Sequence, residues 1–239
     1  MAIIENTVVY MDGEVVLEAF FAFDDAFTDR RPAVLINHTW AGRDNFVSDK
    51  ARKLAELGYV GFALDMYGKG VLGTSAEENA NLMQPFMENR AKLQQRMKVA
   101  LNTVKLLPWV DDSKIAAIGF CFGGLCVLDL ARTGVDIKGA VSFHGLLGTP
   151  DNTKGNKIRA KILALHGRDD PMGLPEQVLA FQEEMTLAGA DWQFVSYGNT
   201  AHAFTNPIAN DANSGMVYQA DADRRSWQAM QNFLAEIFG

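Results

Sequence analysis

The sequence predicts an α/β fold: a mostly parallel, twisted sheet of about eight strands flanked by helices. Three observations carry that prediction. Apolar runs of strand length alternate with amphipathic stretches of helix length, which is the pattern of βαβ crossovers. A hairpin signal near the N-terminus makes the start of the sheet antiparallel. All four histidines fall at or just past the ends of apolar runs, and sheets of this kind bind ligands outside the carboxyl ends of their strands.

Taken in order, Thr7 to Met11 and Val15 to Phe23 are β-rich runs around the hairpin dipeptide Asp12-Gly13. After a polar turn, Asp24 to Pro32, the continuous apolar run Ala33 to Asn37 reads as a strand buried on both faces. Asn45 to Leu57 is a helix closed by Gly58, and Tyr59 to Leu64 the next strand. Met66 to Thr74, with three glycines, is a loop. Ser75 and Glu78 have the form of a capping box. Helical pattern then continues, interrupted near Pro85, as far as Leu107. Ile115 to Phe120, Ile137 to Phe143, Lys161 to His166 and Trp192 to Tyr197 are strands. Leu125 to Ala131, Pro175 to Ala188 and Met216 to Phe238 are helices. No repeat, low-complexity tract or linker interrupts this order, so residues 1–239 read as one domain.

Composition narrows the function classes. A net charge of −7, with no basic patch, argues against nucleic acid or an anionic membrane surface as a partner. Hydrophobic content of 48% with 21% charged residues is that of a soluble globular protein. No run approaches the roughly 20 apolar residues of a membrane span. The N-terminus has no basic, apolar leader, which makes the cytoplasm the default location. The two cysteines, Cys121 and Cys126, fit neither a redox pair nor a zinc pattern. The histidines lack ligand spacing, so no metal is expected.

The chemistry concentrates in Gly119-Phe120-Cys121-Phe122-Gly123-Gly124. A strand running into Gly-x-Cys-x-Gly and then a helix has the form of a nucleophile elbow, with cysteine where serine is usual. The glycines leave room for two backbones to pass, and the sulfur faces a helix N-terminus, which favours thiolate. A buried cysteine in a core strand before a glycine-rich turn would look the same locally. Further along the chain come Asp170 and His202, each past a strand end. Nucleophile, acid and histidine in that order match an α/β-hydrolase triad. Asp169 competes with Asp170 for the acid, and Asp170 could equally be a turn residue before Pro171. His38 and His166 read as structural, with His144 open. The oxyanion formed on attack needs two donors: the Phe122 N–H, just after the nucleophile, and one from the loop after Asn37, for which the Trp40 N–H is the candidate.

These residues resemble the dienelactone hydrolase (carboxymethylenebutenolidase) family. The likeness rests on the elbow, on His166-Gly167-Arg168-Asp169-Asp170-Pro171, on Tyr197 to Phe204, and on Asn37 to Gly42 with Leu64 to Gly68. It implies an α/β-hydrolase fold and hydrolysis of a small-molecule ester or lactone through a thioacyl enzyme, without cofactor, by a monomer or homodimer. Carried over by position, Cys121 is the nucleophile, His202 the base and then acid, and Asp170 the orienting carboxylate. Thr39, Tyr67, His144 and Phe204 would lie at the substrate pocket. Two positions depart from the family pattern. Thr39 stands where the family has a glutamate that helps make the thiolate, and Thr205-Asn206-Pro207 offers no arginine for a substrate carboxylate. Arg43, Lys69 and Arg90 are the remaining candidate cations. The alternatives are a thioesterase or acyltransferase on the same scaffold, or an inactive relative that keeps the pocket.

Overall fold

A computed structural model of the chain describes residues 2–26 and 29–239. Part of the polar turn expected over 24–32 lies outside the described residues. The chain packs as two compact units, Met1–Ile118 and Gly119–Gly239.

The first unit contains β1 (Ile3–Asp12), β2 (Val15–Asp24), β3 (Arg31–Asn37), α1 (Asn45–Glu56), β4 (Val60–Ala63), α2 (Ala76–Glu88), α3 (Arg90–Lys105) and most of β5 (Val110–Phe120). Its strands run in the order β1-β2-β4-β3-β5. β1, β2 and β4 pair antiparallel, and β3 pairs parallel with β4, so the antiparallel start is present. The hairpin is displaced by one residue from the sequence reading. Asp12 pairs with Val15, leaving Gly13-Glu14 as the loop. Gly13, at φ 60°, is the residue that supplies the left-handed step. Central strands are buried throughout: Ala33 to Ile36 and Val60 to Ala63 have no exposed surface apart from glycine. That is why they read as continuous apolar runs.

Pro85 does not break the helix. α2 carries it internally and ends four residues later at Asn89, whose side chain caps α3 by accepting from the Lys92 N–H at 3.0 Å. A cap residue that satisfies the next helix's orphan donors defines the break more strongly than a proline already inside a helix turn. The Ser75 cap forms, but the Glu78 carboxylate bonds Thr74 rather than Ser75.

The second unit holds the last two residues of β5, then α4 (Phe122–Arg132), β6 (Gly139–Phe143), a single 3₁₀ turn at Asp151–Thr153, β7 (Lys161–Gly167), α5 (Pro175–Leu187), β8 (Trp192–Tyr197), β9 (Asn210–Asp211), β10 (Met216–Val217) and α6 (Ala220–Phe238). β6, β7 and β8 are parallel neighbours in that order. The last helix begins four residues later than the sequence predicts. Met216 and Val217 instead pair with β9, and the Gln219 side chain caps α6 by accepting from the Ala222 N–H at 2.8 Å. No helix among the described residues is long and apolar enough to cross a membrane.

One residue carries the reversal from β5 to α4. Cys121 sits between them at φ 56°, ψ −117°, a backbone state that costs a side-chain-bearing residue roughly 1–3 kcal/mol. The turn closes because Gly119 lacks a Cβ, which would lie 2.0 Å from the Gly123 carbonyl oxygen. Gly119→Ala is therefore expected to destabilise the protein by about 3 kcal/mol or more. Gly148→Ala, where an added Cβ meets nothing within 4 Å, should stay within about 0.5 kcal/mol of the parent. Urea unfolding midpoints measure both, and equal effects would contradict the close-approach account.

Candidate active site

The sulfur of Cys121 is presented at the N-terminus of α4. The Cys121 carbonyl accepts from Gly124 at 2.9 Å and Leu125 at 3.3 Å, the first bonds of that helix. Its own N–H donates to Phe143 O at 3.0 Å and to His144 Nδ1 at 3.2 Å. Cys121 is half-buried, whereas Cys126, one turn along, is fully buried.

Asp170 and His202 come together across the ends of β7 and β8. His202 Nδ1 lies 2.8 Å from Asp170 Oδ2, and both side chains are buried. The other Asp170 oxygen accepts from the Met172 N–H at 2.8 Å, which fixes the carboxylate plane. Asp169 is exposed, and only its N–H is engaged, donating to Thr200 O at 2.9 Å. The carboxylate that meets His202 is thus that of Asp170. The loops touch closely: a Cβ on Gly167 would lie 2.4 Å from Thr200 O. From the other side β10 holds the histidine, with the Val217 N–H donating to His202 O at 3.0 Å. Sequence reading assigned this segment to helix and so missed that role.

His202 is the electrostatic centre of this unit. Burial opposes its charged form, but the charge of Cys121 and the hydrogen bond to Asp170 outweigh it. The imidazole is raised from 6.5 to about 10. Its Nε2 is buried and has no well-formed hydrogen bond, so the proton it carries is directed at no other acceptor. The buried carboxylate of Asp170 behind the ring favours a proton held on His202.

The remaining predicted residues divide between the two units. His144 is buried; its ring meets His202 at 5.1 Å and Phe204 at 5.0 Å, both edge-on, and its Nε2 lies 2.8 Å from Thr205 Oγ1. Phe204 is fully buried and also packs on Tyr197. Phe122, the first residue of α4, is fully buried, its N–H directly following the nucleophile.

In the first unit, Tyr67 donates its hydroxyl to Trp40 O at 3.0 Å, pinning the loop that follows β3. The Thr39 hydroxyl accepts from the Ala41 N–H at 3.4 Å. His38 is a structural residue: burial lowers it to about 4, and its Nε2 accepts from the Met66 N–H at 3.2 Å. Burial likewise lowers His166, whose Nε2 bonds Gly173 O at 3.1 Å. Arg43 and Lys69 both bind Glu18 at 2.9 Å. The two cations share that one carboxylate.

A raised histidine keeps its proton below its folded value and loses it only as pH climbs through about 10. Two-dimensional ¹H–¹⁵N NMR of the imidazole should therefore show His202 protonated at pH 7–8. Because Cys121 is the leading cause of the rise, Cys121→Ala should move the titration down. A titration unmoved by that substitution would contradict the pair.

The sequence matches the dienelactone hydrolase family over residues 17–238. An uncharacterized protein of Caenorhabditis elegans is 42% identical over 158 residues, covering 63% of this chain and 98% of its own. A Yersinia pestis protein named for carboxymethylenebutenolidase is 24% identical, over 92% of this chain and 84% of its own. Among solved structures, a dienelactone hydrolase-like promiscuous phosphotriesterase from metagenomic libraries superposes with a TM-score of 0.95, 36% identical over all of both chains. With a match across nearly its whole length, and with an α/β-hydrolase fold built on a largely parallel sheet, the chain belongs to the dienelactone hydrolase family.

Proposed function

We propose that the protein hydrolyses activated carboxylic esters or lactones through a thioacyl enzyme on Cys121. The observation that carries this reading is the buried His202–Asp170 pair at 2.8 Å together with Cys121 held in a strained turn at the N-terminus of α4. Thiolate adds to the carbonyl carbon, forming the C–S bond and an oxyanion. The Phe122 N–H, directly after the nucleophile, is one oxyanion donor, and the Trp40 N–H is the candidate the sequence offers for the second. Collapse breaks the C–O bond, and the leaving oxygen takes the proton from His202 Nε2. Neutral His202 then removes a proton from water as it attacks the thioester, and the thiolate departs.

Sulfur limits the substrates. The tetrahedral intermediate expels whichever group is less basic, and a free thiol's pKa of about 8.5 lies far below that of an alcohol. Enol, aryl and thiol leaving groups therefore acylate the enzyme, and amides do not. No arginine follows His202 in residues 203–207, so neutral substrates fit better than carboxylates.

A second reading rests on the whole-chain match to a promiscuous phosphotriesterase. Attack of the same thiolate on phosphorus would expel an aryloxide and leave a phosphorylated cysteine for water to cleave. With paraoxon, p-nitrophenol release beyond one equivalent per Cys121 supports this reading. A single stoichiometric burst confines the enzyme to carboxylic esters.

Intact mass after mixing with p-nitrophenyl acetate should show an acetyl adduct that forms and decays, absent in Cys121→Ala. Asp170→Asn should lower kcat by about 10³- to 10⁴-fold, since the wrong tautomer of His202 then faces the sulfur. Full activity in Cys121→Ala would overturn the reading.

A further inference from the structure

We propose that His144 is a positioning residue: a strut that ties the backbone of the nucleophile elbow to the loop carrying His202. The inference deepens the proposed hydrolytic function and rests on it. His144 ends β6 and has no exposed surface to offer a substrate, at 1%. Its two nitrogens are engaged on opposite sides. Nδ1 lies 3.2 Å from the Cys121 backbone nitrogen, and Nε2 lies 2.8 Å from Thr205 Oγ1, three residues past His202.

These partners define the tautomer. The Cys121 amide can only donate, so Nδ1 accepts and carries no proton. The ring's proton is then on Nε2 and is donated to the Thr205 hydroxyl, which is itself buried. A doubly protonated ring would turn an N–H against the Cys121 N–H and set a second cation edge-on to His202 at 5.1 Å. The neutral form is the one this geometry accepts.

Packing alone does not explain a histidine here. The neighbouring rings, Phe204 at 5.0 Å and Phe120 at 6.2 Å, would suit a phenylalanine. The Cys121 N–H already has an acceptor in Phe143 O at 3.0 Å, so satisfying that amide does not require the imidazole either. What only a histidine supplies is a rigid ring with an acceptor on one edge and a donor on the other. That ring spans the elbow and the base loop while it packs T-shaped against His202. His144 also holds a left-handed backbone, φ 40°, a state kept where the surroundings enforce it. The strut therefore fixes how the sulfur of Cys121 stands against His202 Nε2.

The test compares His144→Phe, which keeps the ring and removes both hydrogen bonds, with Thr205→Val and Thr205→Ser. His144→Phe and Thr205→Val should each lower kcat for p-nitrophenyl acetate by about 10- to 100-fold, the scale of a misplaced reacting group. KM should change less than about twofold, because neither side chain meets substrate. Thr205→Ser, which restores the acceptor, should return kcat to near the parent value. The double variant should be no slower than His144→Phe alone, since both break one strut. His144→Phe within twofold of the parent, or Thr205→Ser as slow as Thr205→Val, overturns the proposal. If His144→Phe loses its cooperative urea transition, the Thr205 pair decides by itself. Iodoacetamide alkylation of Cys121 needs no substrate and separates this proposal from the functional one. Slower alkylation at pH 7 in Thr205→Val supports the strut even if no acyl enzyme forms, and an unchanged rate counts against it.

Discussion

The backbone of Cys121 is the constraint on which the site depends. Among the described residues, four besides glycine have positive φ: Cys121, His144, Asn199 and Ala203. Every one lies in the elbow, at the end of β6 or in the loop that delivers His202. Strain of this kind persists only where the surroundings leave no alternative. Here β5 ends and α4 begins on either side of one residue, and Gly119 lets Gly123 pass at a distance no side chain would permit. Phe143 and His144 hold the amide from below. Relaxing Cys121 to an ordinary φ would tear the first turn of α4 from its strand. The cost of the strained state is a fixed position for one sulfur atom at a helix N-terminus.

Much of this was legible in the sequence, and the limits have physical causes. Continuous apolar runs identify β3, β4 and β6 to β7 because those strands are buried on both faces. Gly119 identifies the elbow because a Cβ there would lie 2.0 Å from the Gly123 carbonyl oxygen. Asp170 could not be separated from Asp169 in the sequence, since both follow the same strand; burial and one hydrogen bond separate them. The β9–β10 ribbon was read as the start of α6 because Met216 and Val217 continue its apolar periodicity. What overrides that pattern is a tertiary bond, Val217 N–H to His202 O. Thr205 drew attention only as the place where an arginine was absent. Its partnership with His144 links residues 61 apart in the chain, and no local pattern announces such a pairing.

The family resemblance implies a glutamate at the position of Thr39. A carboxylate at that position would let substrate binding trigger thiolate formation. A threonine hydroxyl bonded to the Ala41 N–H does no such work. In the proposed mechanism the charge separation would belong to the resting site, sustained by Asp170 behind His202 and by the α4 N-terminus beneath the sulfur. A site of that kind would be ready before substrate arrives, and its selectivity would come from leaving-group chemistry rather than from a switch.

That resting charge also times the proton. An imidazole raised to about 10 would be a reluctant acid at neutral pH if it stayed so. In the proposed thioacyl cycle it does not stay so. When the thiolate bonds to carbon, the negative charge that does most to hold the proton on His202 leaves the sulfur. The buried ring then feels its desolvation, which favours the neutral form, with Asp170 alone opposing it. The imidazolium becomes a stronger acid at the step where the leaving oxygen needs a proton, and the neutral base that results is what water requires next. Expulsion of thiolate restores the charge and with it the raised imidazole. Acylation and deacylation thus set the proton affinity of His202 in opposite directions, using no group beyond Cys121, Asp170 and the burial of the ring itself.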